Sequence, residues 1–159
     1  MARITPLNGF GSKSVPALLP IKLFRLEPAQ NGKAQLVNTA NGAVVPIAGT
    51  SLAAQYRFGG QYLVLAHNMS SLDEGMAIYV LSDSAVLDSA ETTDIGLSGD
   101  PTDIEVIQPD TVYFSFPNHM RWRLRCFARP RVRLHLPTPY MFWDYHRLFR
   151  SWFSLRRAN

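Results

Sequence analysis

Residues 121–136 read R-W-R-L-R-C-F-A-R-P-R-V-R-L-H-L, with Arg121, Arg123, Arg125, Arg129, Arg131, Arg133 and His135 at odd positions and, apart from Pro130, apolar residues at the even ones. Successive side chains of a β-strand point to opposite faces, so this period of two predicts one guanidinium face and one apolar face, a sorting no helix achieves. The apolar face is expected in a core. Pro130 cannot donate to a sheet ladder, which predicts a break or an edge there, with residues 131–136 as a separate strand.

The preceding stretch has the same phase. Val112, Phe114 and Phe116 alternate with Thr111, Tyr113 and Ser115, and a turn through Pro117, Asn118 and His119 puts the even residues of both strands on the core side with Trp122 and Leu124. The arginines then lie beside Thr, Tyr and Ser, so a carboxylate partner has to come from elsewhere. Six guanidiniums about 6.6 to 7 Å apart along a strand match the scale of phosphate spacing in nucleic acid, and arginine grips phosphate or carboxylate with paired hydrogen bonds. A polynucleotide platform would need stacking aromatics, and only Tyr113 and Phe127 are at hand.

Turn chemistry organises the rest of the chain as short strands. Asn31-Gly32, Asn41-Gly42 and Gly59-Gly60 predict three tight hairpins. Strands are expected at 21–27, 33–38, 43–47, 55–58, 61–66, 76–81, 85–89, 104–107 and 111–116, with turns at 82–84 and 108–110. Residues 62–66, Y-L-V-L-A, are apolar on both faces and predict a central strand covered on both sides. Residues 92–103 read as a surface loop.

After Leu136 the period changes. Thr138 and Pro139 resemble a helix start, and Met141, Tyr145, Leu148, Phe149, Trp152 and Leu155 recur at helical spacing opposite Asp144, Arg147, Arg150, Ser151, Ser154 and Arg157. The prediction is a basic amphipathic helix over 139–157. Two readings stand for it: its aromatic stripe closes the sheet, or it meets a partner or a membrane surface with Phe142, Trp143 and Phe153. The expected fold is therefore mainly β, an antiparallel meander closed as a barrel or folded as a two-layer sandwich, with one C-terminal helix. A single domain is expected over 1–159, with an irregular segment at 1–20 and the meander at 21–136.

Charge is sharply divided. Residues 58–120 contain ten acids and no Lys or Arg, whereas residues 121–159 contain ten arginines and one acid, Asp144, within a chain of net charge +4. The halves either neutralise each other or form a dipolar surface that steers a charged partner. Cys126 is the one cysteine and occupies an apolar position, which predicts a buried thiol and a reducing, cytoplasmic setting. No signal-peptide core is read, and no stretch approaches the roughly 18 apolar residues of a membrane-spanning helix.

Signals for catalysis are sparse. His67, Ser70, Ser71, Asp73 and Glu74 crowd one loop and supply the residue types of a small metal-dependent hydrolase centred on His67, Asp73 and Glu74. No nucleophile elbow, phosphate loop, His-Glu-x-x-His or zinc-type cysteine pair accompanies them, and no metal or cofactor is expected. The favoured expectation is a non-catalytic protein that binds a charged macromolecule. That partner is most simply another protein, in the manner of an inhibitor or toxin-neutralising protein, held through Tyr113 and the arginines at 121, 123, 125, 129, 131 and 133. Nucleic-acid binding by the same strand face is the alternative.

Overall fold

The computed structural model describes residues 16–29, 33–69, 74–92, 99, 101–117, 120–131 and 151–158. The described residues form twelve strands: β1 (Leu18–Pro20), β2 (Phe24–Pro28), β3 (Ala34–Asn38), β4 (Val44–Ile47), β5 (Ser51–Phe58), β6 (Gln61–Met69), β7 (Glu74–Leu81), β8 (Val86–Glu91), β9 (Thr102–Ile107), β10 (Thr111–Ser115), β11 (Arg121–Arg131) and β12 (Ser151–Arg157). They form three antiparallel sheets in the orders β2-β3-β4, β1-β5-β6-β7-β8 and β12-β11-β10-β9. Each sheet is a meander of consecutive strands, with β1 added at the edge of β5. Among the described residues no sheet closes into a barrel.

The sheet β1-β5-β6-β7-β8 lies between the other two. Leu63, Leu65, Met76, Ile78 and Val80 from one of its faces pack with Val112, Phe114, Phe116, Leu124, Cys126 and Phe153. Val64, Ala66, Ala77, Tyr79 and Leu81 from the other face pack with Phe24, Leu36, Val45 and Ile47. The expectation for 62–66 holds: neighbouring residues of β6 enter different cores, which is why the strand is apolar throughout. The arrangement is three layers, not the two expected.

Bulges explain where a strict alternation misreads the chain. On β5, Leu52 pairs with Ala66 and Ala54 with Leu65, so Ala53 is an extra residue. The inserted residue reverses the phase. Leu52 therefore packs with the β2-β3-β4 side while Tyr56 and Phe58, also even-numbered, enter the opposite core. A second bulge lies on β9, where Asp103 adopts φ 52° between the Thr102–Ser115 and Glu105–Tyr113 pairs.

Polar clasps join the layers. The Gln55 amide accepts from the backbone N–H groups of Leu23 and Phe24 at 3.1 and 2.8 Å and donates to the Phe24 carbonyl at 2.8 Å. The Tyr79 hydroxyl accepts from Ala48 N–H at 2.7 Å. On the other side, Leu18 N–H donates to the Pro109 carbonyl at 2.8 Å, and Gln108 Nε2 donates to the Leu18 carbonyl at 2.7 Å. At the far edge the buried Asp88 carboxylate accepts from Trp152 N–H at 2.8 Å, linking β8 to β12.

Three local expectations are corrected. Residues 18–20 are a strand paired with residues 56–58, not irregular chain; three residues are too few to show a period. Residues 151–157, expected in a helix, are a strand paired with β11, because Phe153 and Leu155 turn toward the core while Ser154 and Arg156 lie on the alternate face. The remainder of the expected helix, 139–150, lies outside the described residues, as do the strand expected beyond Arg131 and the Asn31-Gly32 turn. Finally, the Asn41-Gly42 connection is not a two-residue turn. It spans residues 39–43, with Gly42 at φ 73° and the Asn38 and Asn41 side chains accepting from Ala40 and Ala43 N–H. Gly59-Gly60 does make the tight hairpin, with Gly59 at φ 63°.

Candidate functional site

The outward face of the β9–β12 sheet is built from alternate residues of strands whose other face is core. Val112 and Phe114 on β10 and Leu124 and Cys126 on β11 are buried, which leaves Tyr113, Arg121, Arg123 and Arg125 on the opposite side. Cross-strand pairs share a face. Tyr113 lies opposite Arg123 on one side and Glu105 on the other, and Thr111 lies opposite Arg125. On the far side of β11, Arg123 lies opposite Arg156 and Arg125 opposite Ser154.

Two of the arginines have internal counter-ions. Arg121 Nη2 is paired with Glu105 Oε2, and its guanidinium sits 4.9 Å from the Tyr113 ring centroid. Arg125 Nε donates to Asp110 Oδ2 at 2.8 Å, in the turn whose own carbonyl receives Cys126 N–H. Both pairs are solvent-facing on the arginine side, so each contributes at most about 1 kcal/mol to stability, but each fixes the direction of a guanidinium. Arg123 and Arg156 have no carboxylate partner among the described residues, and both are exposed.

The six-arginine face expected from the sequence is interrupted. Cys126 pairs with Phe153 and Arg131 with Ser151, so five steps along β11 match two along β12. The ladder bulges, and the period is lost: Phe127, at an odd position, is buried, whereas Ala128 and Pro130 are exposed. The Phe127 carbonyl accepts from Gln61 Nε2 at 2.6 Å, and Arg131 stacks on its ring at 4.1 Å. Arg129 and Arg131 are exposed but belong to this bulged segment, not to the flat face of Arg121, Arg123 and Arg125. Arg133 lies outside the described residues.

In exchange, the fold adds residues that a helical reading of the C-terminus hid. Arg156 joins the face by its register with Arg123. Arg157 and Ala158 line a shallow depression with Glu105, Ile107, Tyr113, Arg121 and Arg123. The signal was present in the alternation of Phe153, Ser154, Leu155 and Arg156, which a helical spacing drawn through Trp152 and Leu155 overrode.

The other candidate residues are dispersed or undescribed. His67 pairs with Met76 and Glu74 with Met69 across the β6–β7 ladder, and Asp73 lies outside the described residues. Among the described residues no three His, Cys, Asp or Glu side chains gather as a metal site would require. Cys126 is buried, and desolvation pushes its thiol up to about 12, with the Asp110 charge adding to the shift; it is a packing residue, not a nucleophile. No helix among the described residues is long and apolar enough to cross a membrane. Comparison with protein-family models, with curated proteins and with solved structures returns no match.

Proposed function

We propose that the outward face of the β9–β12 sheet docks a protein partner of complementary charge, in a non-catalytic role. The observation that carries this reading is the juxtaposition of Arg123 and Arg156, directly opposite each other on neighbouring strands, with no carboxylate partner among the described residues. Like charges in that position are destabilising, so an internal structural role gives no reason for the pair, whereas an acidic partner does. Glu105 and Asp110 lie beside the arginines on the same face. That mixture favours a protein surface, which can answer both signs, over a nucleic-acid backbone, which presents one.

The test is capture of a partner by the immobilised chain from a nuclease-treated extract at low and moderate salt, repeated with R123E, R156E and E105R. One protein chain held by the native protein and released by R123E and R156E is the expected result. Capture unaffected by all three reversals overturns the electrostatic reading. Recovery of nucleic acid alone, lost steeply as salt rises, replaces the protein partner with a polynucleotide.

A further inference from the structure

The depression on this face has more specific chemistry than a general basic patch. The Arg121 and Arg123 side chains share this face with Arg156, directly opposite Arg123, and with a single carboxylate, Glu105, which is paired with Arg121. This cluster is therefore formally two charges positive. A carboxylate from a partner would neutralise half of that. A phosphate monoester carries about −1.5 to −2 charges at neutral pH and three strong acceptor oxygens, so it matches the lining in charge and can take forked hydrogen bonds from more than one arginine.

The walls fit the same ligand. Arg121 is held between Glu105 and the Tyr113 ring, so part of the ordering that anion binding demands is already in place. Ile107, 45% exposed despite its apolar side chain, and the Tyr113 ring offer an apolar surface beside the charges. We propose that this depression is a subsite for a phosphoryl group carried on an aromatic side chain of the protein partner, with Arg123 and Arg156 as the principal donors. The inference rests on the docking reading above.

The experiment titrates the full chain with N-acetyl-phosphotyrosine amide, following arginine side-chain N–H resonances, alongside the sulfate ester of the same compound and N-acetyl-glutamate amide. The sulfate ester has the same shape but one charge. Expected are saturable shifts at Arg121, Arg123 and Arg156, affinity weaker by about tenfold or more for the sulfate ester and for R123A and R156A, and little change for R129A. Affinity should also rise between pH 5 and 7 as the phosphoryl group loses its second proton near pH 6. Thermal unfolding checks that the variants fold, as solvent-facing substitutions should.

Equal affinity for all three compounds, no binding, or a preference for a single-stranded oligonucleotide over phosphotyrosine would each overturn the inference. If R123E still releases a captured protein partner, such a failure leaves the docking reading standing. If capture is also indifferent to R123E, both fall.

Discussion

Strands β6 and β11 share the same backbone alternation and differ in what lies beyond their second face. On β6, Leu63 and Leu65 enter one core while Val64 and Ala66 enter the other, and all four are 0 or 1% exposed. On β11, Leu124 and Cys126 enter a core while Arg121, Arg123 and Arg125 face solvent. A strand covered twice has no position free for other work, and it fixes the order of the layers. A strand covered once separates stability from recognition residue by residue, so the chemistry of its outer face is set by what it meets and not by what the fold requires.

The largest test of that separation lies on β10. Phe114 is fully buried between two sheets and meets Phe116 edge-on at 5.8 Å, whereas its neighbour Tyr113 faces outward beside the arginines. Phe114→Ala should cost about 3–5 kcal/mol, read as a lowered urea midpoint at unchanged slope. Tyr113→Ala should cost no more than about 1 kcal/mol through lost cross-strand contact. Comparable losses would mean that the outer face is also part of the fold's foundation.

Next in size is Asp88→Ala. Its carboxylate, 7% exposed, receives Trp152 N–H where the edges of two sheets meet. Removing it leaves a part-buried donor without that acceptor, and a loss of about 1–3 kcal/mol is expected. Hydrogen exchange should show faster opening of β12 with β6 still protected. Uniform loosening of both strands would instead make the three layers a single cooperative unit.

The same contrast explains how much of the molecule was legible in its sequence. The doubly covered strand is legible in Y-L-V-L-A, because burial on both faces leaves a compositional trace within the segment itself. So is the inward phase of Val112, Phe114, Leu124 and Cys126, since alternation is local. What was not legible depends on partners distant in sequence. The bulges at Ala53 and at 127–130 appear only when a strand is laid against its neighbour. The pairing of residues 151–157 with β11 is set by the hydrophobic demand of Phe153 and Leu155 against Cys126 and Leu124, which a helical spacing mimics over two turns. The outward face shows the same limit: alternation places Tyr113, Arg121, Arg123 and Arg125 on it, whereas a helical reading of the C-terminus leaves out Arg156, and strict alternation adds Arg129 and Arg131 on a segment that the bulge interrupts.

The smallest effects carry the sharpest distinction within the arginine face. Arg125 has Asp110, a partly sheltered carboxylate that also accepts from Thr111 Oγ1 at 2.8 Å, so Arg125→Ala should lower stability by up to about 1 kcal/mol, less at high salt. Arg123 has Arg156 opposite and no carboxylate among the described residues. Its removal relieves a like-charge pair, and Arg123→Ala should leave stability unchanged or raise it by a few tenths, within about 0.5 kcal/mol. Salt separates the two more cleanly than size does. Raising ionic strength screens an attraction at Arg125 and a repulsion at Arg123, so the two differences from the native protein, measured by urea unfolding at low and high salt, should both shrink toward zero from opposite signs. If Arg123→Ala is instead destabilising and salt-sensitive in the sense of Arg125→Ala, Arg123 is held by an internal counter-ion, and the reason for assigning it to a partner disappears.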